Sequence, residues 1–380
     1  MKQKKTYTPK ELILTAGPSV SEKEVRYVTD AVKHGWNNHY RDYIEQFENA
    51  FAKYIGVKYA LSLSSGTAAL HLAVLGCDIG PGDEVIVPEI TFVASANVVK
   101  YAGATPVFVD VESDTWCMDP LSLRKAITKK TKAIMPVHIY GHPADMTEIN
   151  KIAREFKLKV IEDACPSIGA EVNGKKTGAL SDVGCFSFQG AKAIVTGEGG
   201  MLVTDDRYIY EKARDYGNHA KDHNKAMWHT DIGYMYRMTN MQAAFGLAQI
   251  GRVDTMVDKK RKIFGWYREC LDGVSGITLN TEKPWAKNEY WMSSIVLDKT
   301  VRITRDDMMK ELKKRNIDTR PFFYPVSMLP MYVSPKVNNP VAYYVGPHGI
   351  NLPSGHNLTR EQVNYVSDTV KEILWKDKHA

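Results

Sequence analysis

Lys192 stands in the stretch from Gly184 to Asp205, GCFSFQGAKAIVTGEGGMLVTD, with no other charge until Glu198. Its neighbours are small or apolar, and an ammonium among such residues is costly unless it is paired or neutralised. Only a neutral amine attacks a carbonyl, and desolvation lowers the pKa of a lysine. The position therefore suits an imine-forming amine. A lysine snorkelling from a loop is the plainer reading. Gly197, Gly199 and Gly200 behind it would allow a tight loop that turns Lys192 back toward the strand ends.

Three further positions carry chemistry. In SLSSGTAAL a strand runs through Ser64 and Ser65 into Gly66 and Thr67, and a helix follows at once. Free N–H groups at that helix start, with the Thr67 hydroxyl, can cradle a phosphate, and an ordinary N-cap is the alternative. No GK[ST] follows, so this is not a Walker A loop. Asp163, in KVIEDA, is an acid at the end of a buried strand. It either caps the next turn or pairs with a cationic ring nitrogen. Ser187, between Phe186 and Phe188, either bonds back to the chain or serves as a second phosphate ligand.

Strand–helix alternation positions these residues. YALSLS, DEVIVPE, TPVFVDV, KAIMPVHI and LKVIEDA read as strands. SGTAALHLAVLG, FVASANVVKYAG, DPLSLRKAIT and DMTEINKIAREF read as the intervening helices, the third opened by Asp119 as cap and Pro120 in the first turn. The strands are continuously apolar, as in a parallel sheet covered on both faces. This predicts a doubly wound α/β domain whose ligands lie beyond the carboxyl ends of its strands. After about residue 245 the texture changes. GLAQIGRVDTMVDKKRKIFGWYREC reads as one long helix, followed by YWMSSIVLD (strand), TRDDMMKELKKRN (helix), TRPFFYPVS (strand or loop) and TREQVNYVSDTVKEILW (helix). The expected division is a large domain over residues 1–245, with an N-terminal segment 1–44, and a smaller α+β domain over 246–380.

Composition narrows the class. The chain has 380 residues, 44% apolar and 25% charged, with a net charge of +6 that is too diffuse to argue for nucleic acid. The basic start, MKQKKTYTPKE, is not followed by the apolar run of about 7–15 residues that a secretory signal needs. No run of about 18 apolar residues is present, so no membrane span is expected. The five cysteines form no CxxC and no metal spacing. They read as reduced core residues of a cytoplasmic protein, and no metal site is expected.

Taken together, the positions supply what pyridoxal 5'-phosphate requires: a phosphate cup, a carboxylate for the ring nitrogen and an imine lysine. Phe92, after the strand DEVIVPE, lies at the same sheet edge and could cover the ring.

The sequence resembles the DegT/DnrJ/EryC1/StrS family of sugar-nucleotide aminotransferases, and within it the GDP-perosamine synthase-like branch. The resemblance runs from about residue 12 to about 375. It is carried by SGTAALHLA, GDEVIVPEITFVASAN, GATPVFVDV, TKAIMPVHIYG, VIEDA, FSF…K….GEGGM, YRMTNMQAA and NLPSGHNLT. It implies a fold-type I (aspartate aminotransferase-like) architecture and transamination of a nucleotide-linked keto-sugar, at C4 of a 4-keto-6-deoxyhexose, in deoxyaminosugar and lipopolysaccharide O-antigen biosynthesis. Glutamate is the implied amino donor. The implied assembly is a homodimer or a dimer of dimers. By the same resemblance Lys192 holds the cofactor as an imine and shuttles the proton. Asp163 holds the ring nitrogen, Phe92 stacks on the ring, and Gly66, Thr67 and Ser187 hold the phosphate, while Ser65, at a place where relatives often carry Asn, offers the cup a replacement hydroxyl.

Three positions depart from the family pattern. Pro166 stands where relatives carry Gln, Glu or His, and Met235 (GYMYRM) stands where they carry the Asn of GYNYRM. Ser327 replaces the His of a PxH. Two rival readings remain open: a dehydratase of the same fold, which would carry histidine in place of Lys192, and a non-catalytic binder of nucleotide-sugar or cofactor.

Overall fold

The computed structural model describes residues 9–333 and 338–379. The first eight residues of the basic start lie outside them. Seven strands form the larger sheet: β1 (Tyr59–Leu63), β2 (Glu84–Pro88), β3 (Thr105–Val109), β4 (Thr131–Ile134), β5 (Lys159–Asp163), β6 (Val183–Ser187) and β7 (Gly200–Thr204). Their order is β1-β7-β6-β5-β4-β2-β3. All pairings from β3 through β6 are parallel, while β7 runs antiparallel to both β6 and β1. The sheet is thus mostly parallel, and β7 alone brings its amino end to the edge where the other six bring their carboxyl ends.

The apolar runs of these strands have a simple cause. In β2, Val85 and Val87 join one buried cluster and Ile86 joins another. In β5, Val160 and Ile161 are divided the same way, and in β6 Cys185 and Phe186 also go to different clusters. Both faces are covered, so alternation with polar residues is absent. The helices between strands start where the sequence signals them. Asp119 accepts hydrogen bonds from Leu121 N and Ser122 N with Pro120 in the first turn, and Asp145 caps Met146–Phe156 through Thr147 N and Glu148 N.

The second sheet is antiparallel, in the order β8 (Ile277–Leu279), β9 (Ser293–Leu297), β11 (Gly349–Leu352), β10 (Arg320–Pro321). It shares a core with the helices Val253–Leu271, Arg305–Lys313 and Arg360–His379. Ile13 joins the same core, and its N–H donates to Asn316 O (2.8 Å).

One expected element is corrected. The stretch read as a single long helix is two helices, Asn240–Ile250 and Val253–Leu271. Gly251 ends the first, and Arg252 leaves helical geometry at φ −136° and ψ 17°. The break lets Gln249 and Arg252 both reach Glu24 and Ser19 at the start of the chain. A partly buried charged network outweighs helix continuity there.

Candidate active site

A cavity of about 460 Å³ opens at the carboxyl edge of the large sheet. Ser65, Gly66, Thr67, Phe92, Asp163, Ser187 and Lys192 all line it, as does Pro166. The seven residues singled out in the sequence, separated by up to 127 positions, meet because β1, β2, β5 and β6 end at one edge.

The β1 turn is built for close approach. Ser65 caps the helix Gly66–Gly76, its Oγ accepting from Ala68 N at 3.1 Å. Its hydroxyl proton is left to donate elsewhere, and the N–H groups of Gly66 and Thr67 belong to the unsatisfied first turn. A Cβ on Gly66 would lie 2.8 Å from Ser187 Cβ and 2.9 Å from Cys165 Sγ, so only glycine fits. A Cβ on Gly200, the first residue of β7, would lie 2.2 Å from the Ser65 carbonyl oxygen.

Asp163 is 4% exposed. Its Oδ2 accepts from Ser95 Oγ at 2.7 Å and its Oδ1 from Cys165 N at 3.2 Å. The pleat explains why Asp163 and not Glu162 faces the cavity. Glu162 points to the other side, where it accepts from Gly178 N (2.7 Å), Leu180 N (2.7 Å) and Ser181 Oγ (2.8 Å) and contacts His138 Nε2 (3.0 Å). That carboxylate is saturated structurally, whereas Asp163 keeps capacity for another partner.

Lys192 sits in a loop that folds back on itself. Gly190 N donates to Gly197 O (3.0 Å), Thr196 N to Phe188 O (2.8 Å), and Lys192 N to Gln189 O (2.8 Å). Gly197 takes a left-handed φ of +85°, the freedom expected of that glycine. The Lys192 ammonium lies 3.8 Å from the Trp291 ring centroid, and Trp291 Nε1 donates to Ala191 O at 2.8 Å. Burial holds the pKa of Lys192 below that of an ordinary lysine, against the opposing pull of the Asp163 and Glu289 carboxylates; Arg320 adds to the lowering. Burial in turn pushes the Cys165 thiol well up, so it stays neutral.

Several residues of the site escaped the sequence reading. Ser95, fully buried behind the cavity wall where it holds Asp163, lies within a stretch read only as helix. Trp291, Arg320 and Phe323 come from the C-terminal half and reach the cavity only through tertiary packing. Phe92 is 58% exposed, with its ring centroid 5.8 Å from that of Phe323. Of the departures, Met235 is exposed and does not line the cavity, bridging instead to Asn218. Ser327 is buried away from the cavity, donating to Glu89 through its N (3.0 Å) and Oγ (2.6 Å).

The model of the DegT/DnrJ/EryC1/StrS aminotransferase family matches residues 18–371. A GDP-perosamine synthase of Escherichia coli O157:H7 is 42% identical over 361 residues, covering 95% of this chain and 98% of the relative. That of Caulobacter vibrioides is 41% identical over 364 residues, with the same coverage. Among solved structures, DesV of Streptomyces venezuelae superposes with a TM-score of 0.86 at 33% identity, covering 93% of this chain and 94% of that one. Spr1654 of Streptococcus pneumoniae in its PMP form does so with a TM-score of 0.90 at 26% identity, covering 96% and 98%.

Proposed function

The chain belongs to the DegT/DnrJ/EryC1/StrS aminotransferase family and is a pyridoxal-phosphate-dependent sugar aminotransferase, and from that premise we propose that it moves an amino group from glutamate to C4 of a GDP-linked 4-keto-6-deoxyhexose. The observation that carries the reading is one cavity holding a desolvated amine, a buried carboxylate with spare capacity and a glycine-lined helix start. The high identity to relatives named GDP-perosamine synthase supports the choice of sugar and nucleotide.

The cavity fits the cofactor on its own geometry. Its volume is in the range of small-molecule sites, and the Gly66 cradle would be filled by any Cβ. Ser65, Gly66, Thr67 and Ser187 would hold the phosphate, Asp163 the ring nitrogen, Phe92 the ring face and Lys192 the aldehyde carbon. When bound, the cofactor supplies a ring that accepts the electrons released as a substrate carbon loses its proton. The chain's own part is positioning and proton transfer. Asp163, fixed by Ser95 and Cys165 N, presents a negative charge that favours a protonated ring nitrogen. Lys192, its pKa lowered by burial, takes the proton from the reacting carbon of the donor and returns one to the sugar carbon. The Trp291 face receives its ammonium between those steps.

Lys192 weighs against the dehydratase reading. The proposal extends to a homodimer or dimer of dimers in the cytoplasm, with residues 1–245 as the cofactor-binding part and 246–380 as the smaller one. No helix among the described residues is long and apolar enough to cross a membrane. The test is a mass-spectrometric screen of 3-keto and 4-keto nucleotide sugars with glutamate. The expected result is an aminated GDP-linked 4-keto-6-deoxyhexose, and amination confined to a 3-keto sugar or to another nucleotide would overturn it.

A further inference from the structure

Arg320 lines the same cavity and stands apart from the residues that would hold the cofactor. Ser65, Gly66, Thr67, Asp163, Ser187 and Lys192 come from the large-sheet half of the chain, whereas Arg320 opens the edge strand β10. The backbone around it is fixed. Arg320 pairs with Asn351 in the sheet, and Asn351 Nδ2 donates to Pro321 O (3.3 Å). Phe322 N donates to Gly349 O (3.0 Å), and Phe323 N to Tyr140 OH (3.0 Å). Pro321 removes one backbone degree of freedom.

Among the described residues, no carboxylate pairs with the Arg320 guanidinium, and no hydrogen bond holds it. Elsewhere in the fold, arginines with rigid settings have found partners: Arg252 with Glu24, and Arg261 with Glu282. The cavity's acids are Asp163, already held by two donors, and Glu198. Arg320 and Lys192 therefore place two cations on one cavity, and Arg320 helps to lower the pKa of Lys192. A guanidinium fork on a rigid strand, lining a ligand cavity and unmatched by protein among the described residues, is suited to bidentate capture of an anion.

We propose that Arg320 is the substrate anion anchor of this site, binding paired anionic oxygens of either the amino donor's carboxylate or the sugar nucleotide's diphosphate. It is a specificity-determining residue, and the proposal rests on the aminotransferase reading above. The aromatic ring of Phe323, 5.8 Å from that of Phe92 at the same cavity, would give the rest of such a substrate an apolar surface.

The test is equilibrium binding by calorimetry with two probes, glutarate for the carboxylate and GDP for the diphosphate, on wild-type holoenzyme and on Arg320→Gln and Arg320→Lys. Cofactor affinity is titrated in parallel on the cofactor-free proteins. Arg320 is exposed, and far-UV circular dichroism checks that both variants are folded. Arg320→Gln should weaken one of the probes by about ten- to a hundredfold, the worth of a charged hydrogen-bond pair, with cofactor affinity unchanged. Arg320→Lys should restore part of the loss, because it returns the charge without the fork. The weakened probe identifies the source of the anion. Unchanged affinity for both probes overturns the proposal. So does an equal loss of cofactor affinity, which would assign Arg320 to the phosphate cup. Because the ratio of variant to wild-type affinity needs no turnover, failure of the keto-sugar screen and failure of the Arg320 assignment are read separately.

Discussion

Replacing Ser95 by alanine tests the link between packing and chemistry at Asp163. Ser95 is fully buried, and its hydroxyl is 2.7 Å from Asp163 Oδ2 and 2.7 Å from Thr91 Oγ1. Alanine removes the donor and leaves no new polar atom on its own side. Thr91 keeps a second partner, Phe92 O at 3.3 Å. The loss is therefore mainly one hydrogen bond to a buried charged group, about 1.5–3 kcal/mol. The Cys165 N bond at 3.2 Å remains, so the carboxylate stays bound by one donor but is free to turn. Urea unfolding of the cofactor-free protein should show that destabilisation at neutral pH. If Asp163 is the counter-charge of the ring nitrogen, the donor half-reaction should slow by up to about a hundredfold at saturating cofactor, since about 1.4 kcal/mol corresponds to one decade. Stability and rate both matching wild type would refute the reasoning. Reduced stability with an unchanged rate would separate Asp163 from the reacting ring.

Lys192→Ala should fold normally and lose turnover in both half-reactions, because no other lysine among the described residues lines the cavity; substantial residual transamination, followed by product release, would place the imine lysine elsewhere. Gly66→Ala should weaken cofactor retention in dialysis against phosphate, since its Cβ would press within 2.8 Å of Ser187 Cβ, an overpacking worth about 1–3 kcal/mol; unaltered retention would remove Gly66 from the phosphate cup. Stability should fall in acid through His142, whose Nδ1 donates to Pro143 O (2.7 Å) while Nε2 accepts from Lys283 N (3.2 Å), an arrangement only the neutral ring satisfies. Burial lowers its folded pKa from 6.5 to about 4, so the unfolded chain binds the proton first. The contribution is complete above pH 6.5 and lost as pH falls toward 4, and His142→Gln should flatten that part of a pH series of urea midpoints.

The amino-acid sequence by itself determined the strand–helix alternation and singled out residues that the fold gathers at one cavity. Strands buried on both faces must be apolar throughout, helix starts need caps such as Asp119 and Asp145, and a lysine among apolar neighbours signals itself by its cost. Those signals are local, so SSGT, Asp163, Ser187 and Lys192 were legible at once. The tertiary structure alone decided what closes the site. Nothing adjacent to Trp291 or Arg320 marks them, because their roles come from one sheet docking against the other. Trp291 reaches Ala191 O across 100 positions of sequence, and Ser95 reaches Asp163 across 68. The break at Gly251–Arg252 was hidden for the same reason. Helical periodicity runs unbroken through that stretch, and the partners that overrule it, Ser19 and Glu24, lie more than 200 residues earlier. Local pattern fixes elements because its physics is short-ranged. Partner choice for buried polar groups is a property of the folded chain, where groups distant in sequence satisfy one another.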